Sequence, residues 1–96
     1  MEKTLKIVYL KKADKFLAKN SSKISKHTVD TLIIKSIKKI YIGEEINVDL
    51  KKMSTMDGYY RIRKGDIRII FQINECDELI ISIVETIGYR GDVYKK

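Results

Sequence analysis

A hairpin pattern occupies residues 58–73, with the sequence GYYRIRKGDIRIIFQI. Its isoleucines alternate with charged residues, and successive side chains of a β-strand point to opposite faces of a sheet. A Lys-Gly pair divides the stretch, and a glycine between two alternating runs is typical of a tight turn. The stretch therefore predicts two antiparallel strands with one apolar face and one charged face.

The position of the turn decides which charges meet. We place it at Lys64-Gly65, which pairs Arg61 with Arg68 and Arg63 with Asp66. One face of the hairpin then carries the apolar residues Tyr60, Ile62, Ile67, Ile69, Phe71 and Ile73. The other face carries Arg61, Arg63 and Arg68, with only Asp66 nearby. Opposed like charges are unfavourable in a strand pair, so this face indicates an anion-binding site.

A further strand is predicted near residues 79–87, after a five-residue loop, NECDE. This register puts Leu79, Ile81 and Ile83 on the apolar face. It puts Val84, Thr86, Gly88 and Arg90 on the charged face, with Val84 beside Arg68. Arg90 thereby joins the other three arginines, and Glu85 is left pointing toward the apolar side.

The first half of the chain predicts one strand and two helices. Alternation over residues 4–10 favours a strand, and the period changes to a short helix over residues 11–20. A longer amphipathic helix is predicted over residues 26–41 from the apolar set Val29, Leu32, Ile33, Ile37 and Ile40. The seryl run before it offers capping hydroxyls, and Gly43 is a suitable stop. Residues 44–57 are expected to be a polar connection.

The predicted order is therefore β-α-α-β-β-β, an α+β fold in which a helical hairpin packs on one face of a small, mainly antiparallel sheet. A length of 96 residues predicts a single domain over residues 1–96. No apolar run approaches a membrane span, the first residues lack the apolar core of a secretory signal, and Cys76 is the single cysteine. A reduced, cytoplasmic location without membrane attachment is expected, and no metal-ligand motif is evident.

The positive charge is unevenly distributed. The formal net charge is +7, and residues 1–43 contain 11 Lys and 3 acidic residues, whereas residues 44–96 contain 9 basic and 10 acidic residues. The four arginines all lie in the second half. A lysine surface attracts a polyanion as a set of point charges, whereas an arginine cluster offers forked donors suited to phosphate. The sequence thus indicates a general docking surface and a separate, more specific site.

The runs YYRIRKGDIRIIFQI and IGYRGDVYKK resemble the bacterial RelE/ParE toxin superfamily, with the RelE-like branch favoured. The resemblance implies the microbial RelE fold and a toxin of a type II toxin–antitoxin system. For the RelE branch it implies a metal-independent, ribosome-dependent endoribonuclease that cleaves mRNA in the ribosomal A site and needs no cofactor. It also implies a cognate acidic antitoxin, with a toxin–antitoxin heterotetramer as one expected assembly.

The resemblance also implies roles for individual residues. Arg68 and Arg90 match arginines that would stabilise the charge of the phosphorane, and Tyr94 matches a tyrosine that would orient or deprotonate the 2′-hydroxyl. Arg61 and Arg63 stand where the family has two lysines. With Lys64, they are expected to bind the RNA phosphates.

Two other functions follow from the same resemblance. Because arginine stays protonated, Arg61 and Arg63 are poor proton shuttles, which leaves a catalytically weakened toxin fold that only binds antitoxin or RNA. A ParE-like inhibitor of DNA gyrase shares the general hairpin motif, and the Arg90 and Tyr94 ending argues against it.

Overall fold

The computed structural model describes residues 4–43, 45–54 and 57–89. These residues contain two helices and five strands. In chain order they are β1 (Thr4–Tyr9), α1 (Lys11–Lys19), α2 (Lys26–Tyr41), β2 (Asp49–Lys52), β3 (Tyr59–Lys64), β4 (Ile67–Cys76) and β5 (Leu79–Tyr89). The strands form one sheet in the order β1-β5-β4-β3-β2. The first pairing, β1 with β5, is parallel, and the other three are antiparallel. The predicted α+β class is confirmed.

The helices begin and end where the sequence predicts. The side chain of Ser25 caps α2 by accepting a hydrogen bond from the backbone N–H of Thr28 at 3.1 Å. After α2, Gly43 adopts a φ of +77°, a conformation that glycine reaches without steric penalty. The apolar side of α2 is buried in the core at Val29, Ile33 and Ile37.

The core lies between the helices and one face of the sheet. Its buried members from the helical segment are Ala13, Leu17, Ile24, Val29, Ile33 and Ile37. From the sheet it takes Ile62, Ile67, Ile69, Phe71, Ile80, Val84 and Ile87. The hairpin face that was predicted to be apolar is therefore the core face, which leaves the arginines on the side of the sheet away from the helices.

One strand was missed in the sequence. The predicted polar connection over residues 44–57 contains β2, which pairs Asp49 with Arg63, Leu50 with Ile62 and Lys51 with Arg61. Its sequence, DLKK, has a single apolar residue, which is too little for an alternating pattern to show. Because Leu50 pairs with buried Ile62, the side chains of Asp49 and Lys51 belong to the arginine face.

The turn between β3 and β4 is Gly65-Asp66 rather than the predicted Lys64-Gly65. The observed pairs are Lys64 with Ile67 and Arg63 with Arg68. The predicted pairs, Arg61 with Arg68 and Arg63 with Asp66, are therefore wrong. Gly65 has a φ of +59°, and a glycine at the first central position suits a type II′ hairpin turn. The predicted turn would instead have required a positive φ at Lys64. A shift of two residues keeps every side chain on its face.

The predicted connection between β4 and β5 was also wrong. Strand β4 continues to Cys76, and the five-residue loop is replaced by a two-residue turn, Asp77-Glu78, with a φ of +52° at Asp77. The odd shift exchanges the faces over residues 79–84, so that Leu79, Ile81 and Ile83 leave the core face and Val84 is buried in the core opposite Phe71.

A β-bulge restores the predicted faces at the end of β5. Val84 pairs with Phe71 and Thr86 with Ile70, so Glu85 is the extra residue between two consecutive partners. Beyond it, Ile87 lies on the core face, and Gly88 lies opposite Arg68. The bulge therefore accounts for the awkward position of Glu85 in the predicted register.

We expect Gly65→Ala to lower the free energy of unfolding by about 1–2 kcal/mol, because a side chain is strained at this φ. No atom lies within 4 Å of an added Cβ, so the effect comes from the backbone and not from a clash. Urea denaturation followed by circular dichroism measures it. Asp66→Ala in the same turn is the control, since Asp66 is not among the described residues with positive φ. Equal stabilities of the two variants would contradict the assigned turn.

Candidate anion-binding site

Two neighbouring strands, β3 and β4, carry the three arginines onto one face of the sheet. Arg63 of β3 lies directly opposite Arg68 of β4, and Arg61 lies opposite Ile70. Like charges in directly opposed positions destabilise a strand pair unless an anion compensates them. The arrangement therefore predicts an anion on this face.

The protein supplies one such anion itself, from β2. Arg61 Nη2 donates to Asp49 Oδ1 at 3.2 Å, and Arg63 Nε donates to Asp49 Oδ2 at 2.6 Å. The expectation that Asp66 is the only acid near the arginines is therefore wrong. Sequence reasoning missed Asp49 because it missed β2, which is the strand that places this carboxylate opposite Arg63.

The arginines hold Asp49 in its ionised form. The hydrogen bond from Arg63 is the largest cause and lowers the pKa of Asp49 below its usual value. Desolvation opposes it, and the positive charges of Arg63, Arg61 and Arg68 lower the pKa further. The pair therefore stabilises the fold at neutral pH. This contribution is lost as the pH falls through the folded-state pKa of Asp49. The pair is open to solvent, with exposed side-chain fractions of 41% for Asp49 and 50% for Arg63.

Arg68 differs from the other two arginines because it is buried. Only 6% of it is exposed, and its Nη1 donates to the backbone carbonyl oxygen of Gly65 at 3.1 Å. The hydrogen bond ties the guanidinium to the turn between β3 and β4. Arg68 thus supplies a fixed positive charge on the same face as the more exposed Arg61 and Arg63.

Two lysines near the site, Lys51 and Lys64, lie on opposite faces of the sheet. Lys51 of β2 is exposed and lies opposite Arg61, so it adds a positive charge to the arginine face that sequence analysis did not identify. Lys64 was predicted to bind phosphate with the arginines. It pairs with buried Ile67 and so belongs to the other face of the sheet.

The remaining two predicted site residues, Arg90 and Tyr94, lie outside the described residues. Strand β5 is described as far as Tyr89, and its Gly88 lies opposite Arg68. Their roles stay predictions.

The lysine-rich surface lies on the helical side of the molecule. Exposed lysines occur along both helices, at Lys11, Lys12, Lys15, Lys19, Lys26, Lys35, Lys38 and Lys39. Because the helices pack on the core face of the sheet, these lysines and the arginine face lie on opposite sides. The expected division into a broad lysine surface and a separate arginine cluster thus has a structural counterpart.

Comparison with known proteins finds the same architecture in solved toxin–antitoxin structures. A chain of the DinJ-YafQ complex from E. coli matches with a TM-score of 0.64 and 16% identity over 96% of this chain and 100% of that one. A chain of the archaeal RelE-RelB complex from Pyrococcus horikoshii matches with a TM-score of 0.51 and 26% identity over 95% and 98%. A chain of the RelB-RelE complex from Methanococcus jannaschii gives 0.52 and 20% over 91% and 94%.

The chain has the RelE-like toxin fold. The resemblance stated from the sequence is thereby confirmed at the level of fold. No protein-family model matches the chain, and no curated protein matches it. The structure thus detects a relationship that overall sequence similarity does not.

The RelE-like fold of this chain offers no metal site in the part that the structure describes, where no group of three or more His, Cys, Asp or Glu side chains is arranged around a common point. No helix of residues 4–43, 45–54 and 57–89 is long and apolar enough to cross a membrane. The described arginine face carries the guanidiniums of Arg61, Arg63 and Arg68, the ammonium of Lys51 and the carboxylate of Asp49.

We expect Arg63→Gln to raise the pKa of Asp49 toward its usual value, and to raise it more than Arg61→Gln does. Arg63 makes the shorter hydrogen bond to the carboxylate and is the largest cause of the low pKa. A titration of the Asp49 carboxyl carbon by NMR measures both variants. A larger rise in Arg61→Gln would show that Asp49 is held mainly by the other arginine.

Proposed function

We propose that this protein is the toxin of a type II toxin–antitoxin system and acts as a metal-independent endoribonuclease on ribosome-bound mRNA. The observation that carries the proposal is the cluster of Arg61, Arg63 and Arg68 on one face of a RelE-like fold. These three positive charges and that of Lys51 lie near the carboxylate of Asp49, so the face retains an excess of positive charge for an added anion.

The arginine face suits a reaction in which an RNA 2′-hydroxyl loses its proton and attacks the adjacent phosphate, and the bond from phosphorus to the 5′-oxygen of the next nucleotide breaks. The phosphodiester carries one negative charge, and the phosphorane that follows carries two. Preorganised donors that meet this added charge lower the barrier. Arg61 and Arg63 would hold the phosphate, and Arg68 would add a fixed charge on the same face.

Arg90 and Tyr94 complete the proposed chemistry. Arg90 would bind the phosphorane, and Tyr94 would orient or deprotonate the 2′-hydroxyl. A tyrosine has an ordinary pKa near 10, and surrounding positive charges favour its phenolate. Because Arg61 and Arg63 cannot shuttle protons, the proton chemistry in this proposal belongs to Tyr94.

The two basic surfaces fit an enzyme that works on the ribosome. The arginine face would engage the mRNA, and the lysines of α1 and α2 would meet ribosomal RNA from the other side of the molecule. Lysine contacts to phosphates add affinity without sequence preference, because each neutralised phosphate releases counterions. This division assigns binding and cleavage to different surfaces.

A protein antitoxin is the proposed partner. The similar structures from E. coli, Pyrococcus horikoshii and Methanococcus jannaschii are complexes of DinJ with YafQ and of RelB with RelE. A partner for a chain with a net charge of +7 is expected to be acidic, since opposite charge speeds association and selects the partner. A heterotetramer of two toxins and two antitoxins is one assembly that this pairing allows.

Expression of the protein from a tightly regulated promoter should stop growth and produce new 5′ ends at codon positions in cellular mRNA. Arg90→Ala and Tyr94→Phe should suppress both effects while the proteins remain folded. Plasmid supercoiling is measured in the same cells. Relaxed plasmid without mRNA cuts would replace the proposal with gyrase inhibition. Normal growth without cuts, together with antitoxin binding, would identify a catalytically weakened toxin fold.

Arg61→Gln and Arg63→Gln should each slow mRNA cleavage by about ten- to hundredfold, because each removes a charge-assisted hydrogen bond of about 1.5–3 kcal/mol. Cleavage of mRNA on purified ribosomes measures the rates. Lys6→Gln makes the same charge change on the same face at the far edge of the sheet, on β1, roughly 14 Å from β3. A loss in Lys6→Gln as large as in the arginine variants would show that overall charge, and not the arginine face, matters.

A further inference from the structure

Asp49 divides its carboxylate between two arginines. One oxygen accepts from Arg61 and the other from Arg63, so neither guanidinium forms the two parallel hydrogen bonds that arginine makes with a carboxylate or phosphate. Both arginines are therefore neutralised only in part.

Arg61 retains an unused donor next to this pair. Its Nε is shielded from solvent and has no hydrogen-bond partner among the described residues. Asp49 has no third oxygen to offer it, whereas a phosphate group has more acceptor oxygens than a carboxylate. Since a buried donor without a partner is unfavourable, an anion with more oxygens than Asp49 would satisfy this face better.

We propose that Asp49 is the internal counter-ion of the arginine face. In the free protein its carboxylate occupies the place of an RNA phosphate, and the phosphate displaces it from Arg61 and Arg63 on binding. The identity of the anion as RNA depends on the proposed function. The competition between Asp49 and an incoming anion depends only on the two ion pairs.

The exposure of the pair makes such an exchange feasible. Asp49 and Arg63 have side chains that are 41% and 50% exposed, and exposed ion pairs of this kind contribute about 0–1 kcal/mol. An anion that brings a full charge and several acceptors can therefore displace Asp49 from Arg63 at little cost. The Arg61 side chain is 18% exposed, so the contact between Asp49 and Arg61 is the more protected of the two. Arg68 is buried and hydrogen-bonded to Gly65, so its charge stays in place during the exchange.

The internal counter-ion also makes the site selective for highly charged anions. A bound monoanion gains little over Asp49, which already supplies one negative charge to the same two guanidiniums. An anion with two or more charges gains more, because the attraction to a fixed group of cations grows with its charge. The phosphorane formed during cleavage would thus be favoured over the bound phosphodiester.

The test compares Asp49→Asn with Asp66→Asn, which makes the same charge change in the turn of the same hairpin. Asp66 makes no ion pair with the described residues. Pyrophosphate is the first probe, and single-stranded RNA with 2′-O-methyl groups, which cannot be cleaved, is the second. Calorimetry gives the dissociation constants, and thermal unfolding gives the stability of each variant.

We expect Asp49→Asn to bind both probes about three- to tenfold more tightly than the natural protein, as the removal of one nearby charge predicts. Asp66→Asn should change binding by less than about twofold, since Asp66 makes no ion pair with Arg61 or Arg63. Asp49→Asn should also lower the unfolding temperature, because Arg63 and Arg68 then face each other without their anion. Tighter binding together with lower stability is a result that a purely structural ion pair would not give.

Equal binding by Asp49→Asn and Asp66→Asn would overturn the counter-ion proposal, and so would weaker binding by Asp49→Asn. In that case RNA binding by the natural protein would still support the proposed function. Conversely, tighter pyrophosphate binding by Asp49→Asn, without RNA binding by any variant, would support the counter-ion and contradict the function on RNA.

Discussion

The pairing of Arg63 with Arg68 is the constraint on which this molecule's chemistry depends. Two guanidiniums in directly opposed positions of a sheet repel each other, and a nearby anion reduces that repulsion. Asp49 meets that requirement from the neighbouring strand, at 2.6 Å from Arg63 Nε. Strand β2 has one apolar residue. The Asp49 carboxylate joins this strand to β3 in addition to the hydrogen bonds between the two backbones.

The charge excess on this face has a structural cost that hydrophobic burial on the other face offsets. Ile62, Ile69 and Phe71 are fully buried against the helices, and they lie on the same strands as the arginines. Because strand side chains alternate, burying these apolar residues forces the arginines together on the opposite side. The core thus holds in place a cluster of like charges that would separate in a less constrained segment.

The elements predicted correctly are of two kinds. Either the apolar pattern extends over many residues, or the error in strand register leaves each side chain on its predicted face of the sheet. Helix α2 shows its apolar side over sixteen residues, and the β3–β4 hairpin kept its faces although its turn lies one residue later than expected. An error of two residues in register leaves the period of two unchanged. The faces of residues 79–84 were wrong because the misjudged loop shifted β5 by an odd number, and the bulge at Glu85 reversed the error for Thr86 and Gly88.

The candidate site could be predicted only in part, for the same physical reason. Arg61, Arg63 and Arg68 lie within one alternating run, so their common face follows from the sequence. Asp49 and Lys51 come from a four-residue strand that pairs with β3 across a connection, and no local pattern reveals this pairing. The burial of Arg68 is likewise not evident from the alternation, which puts Arg68 on the same face as exposed Arg63.

An NMR titration of isotope-labelled protein with a short single-stranded RNA that carries 2′-O-methyl groups tests most directly whether the arginine face binds RNA. The guanidinium Nε signals of Arg61, Arg63 and Arg68 should shift first and saturate together. Signals of the lysines on α1 and α2 should move only at higher RNA concentration. Saturable shifts confined to the helical lysines, with the three arginines unchanged, would contradict the claim that the arginine face binds the RNA phosphate.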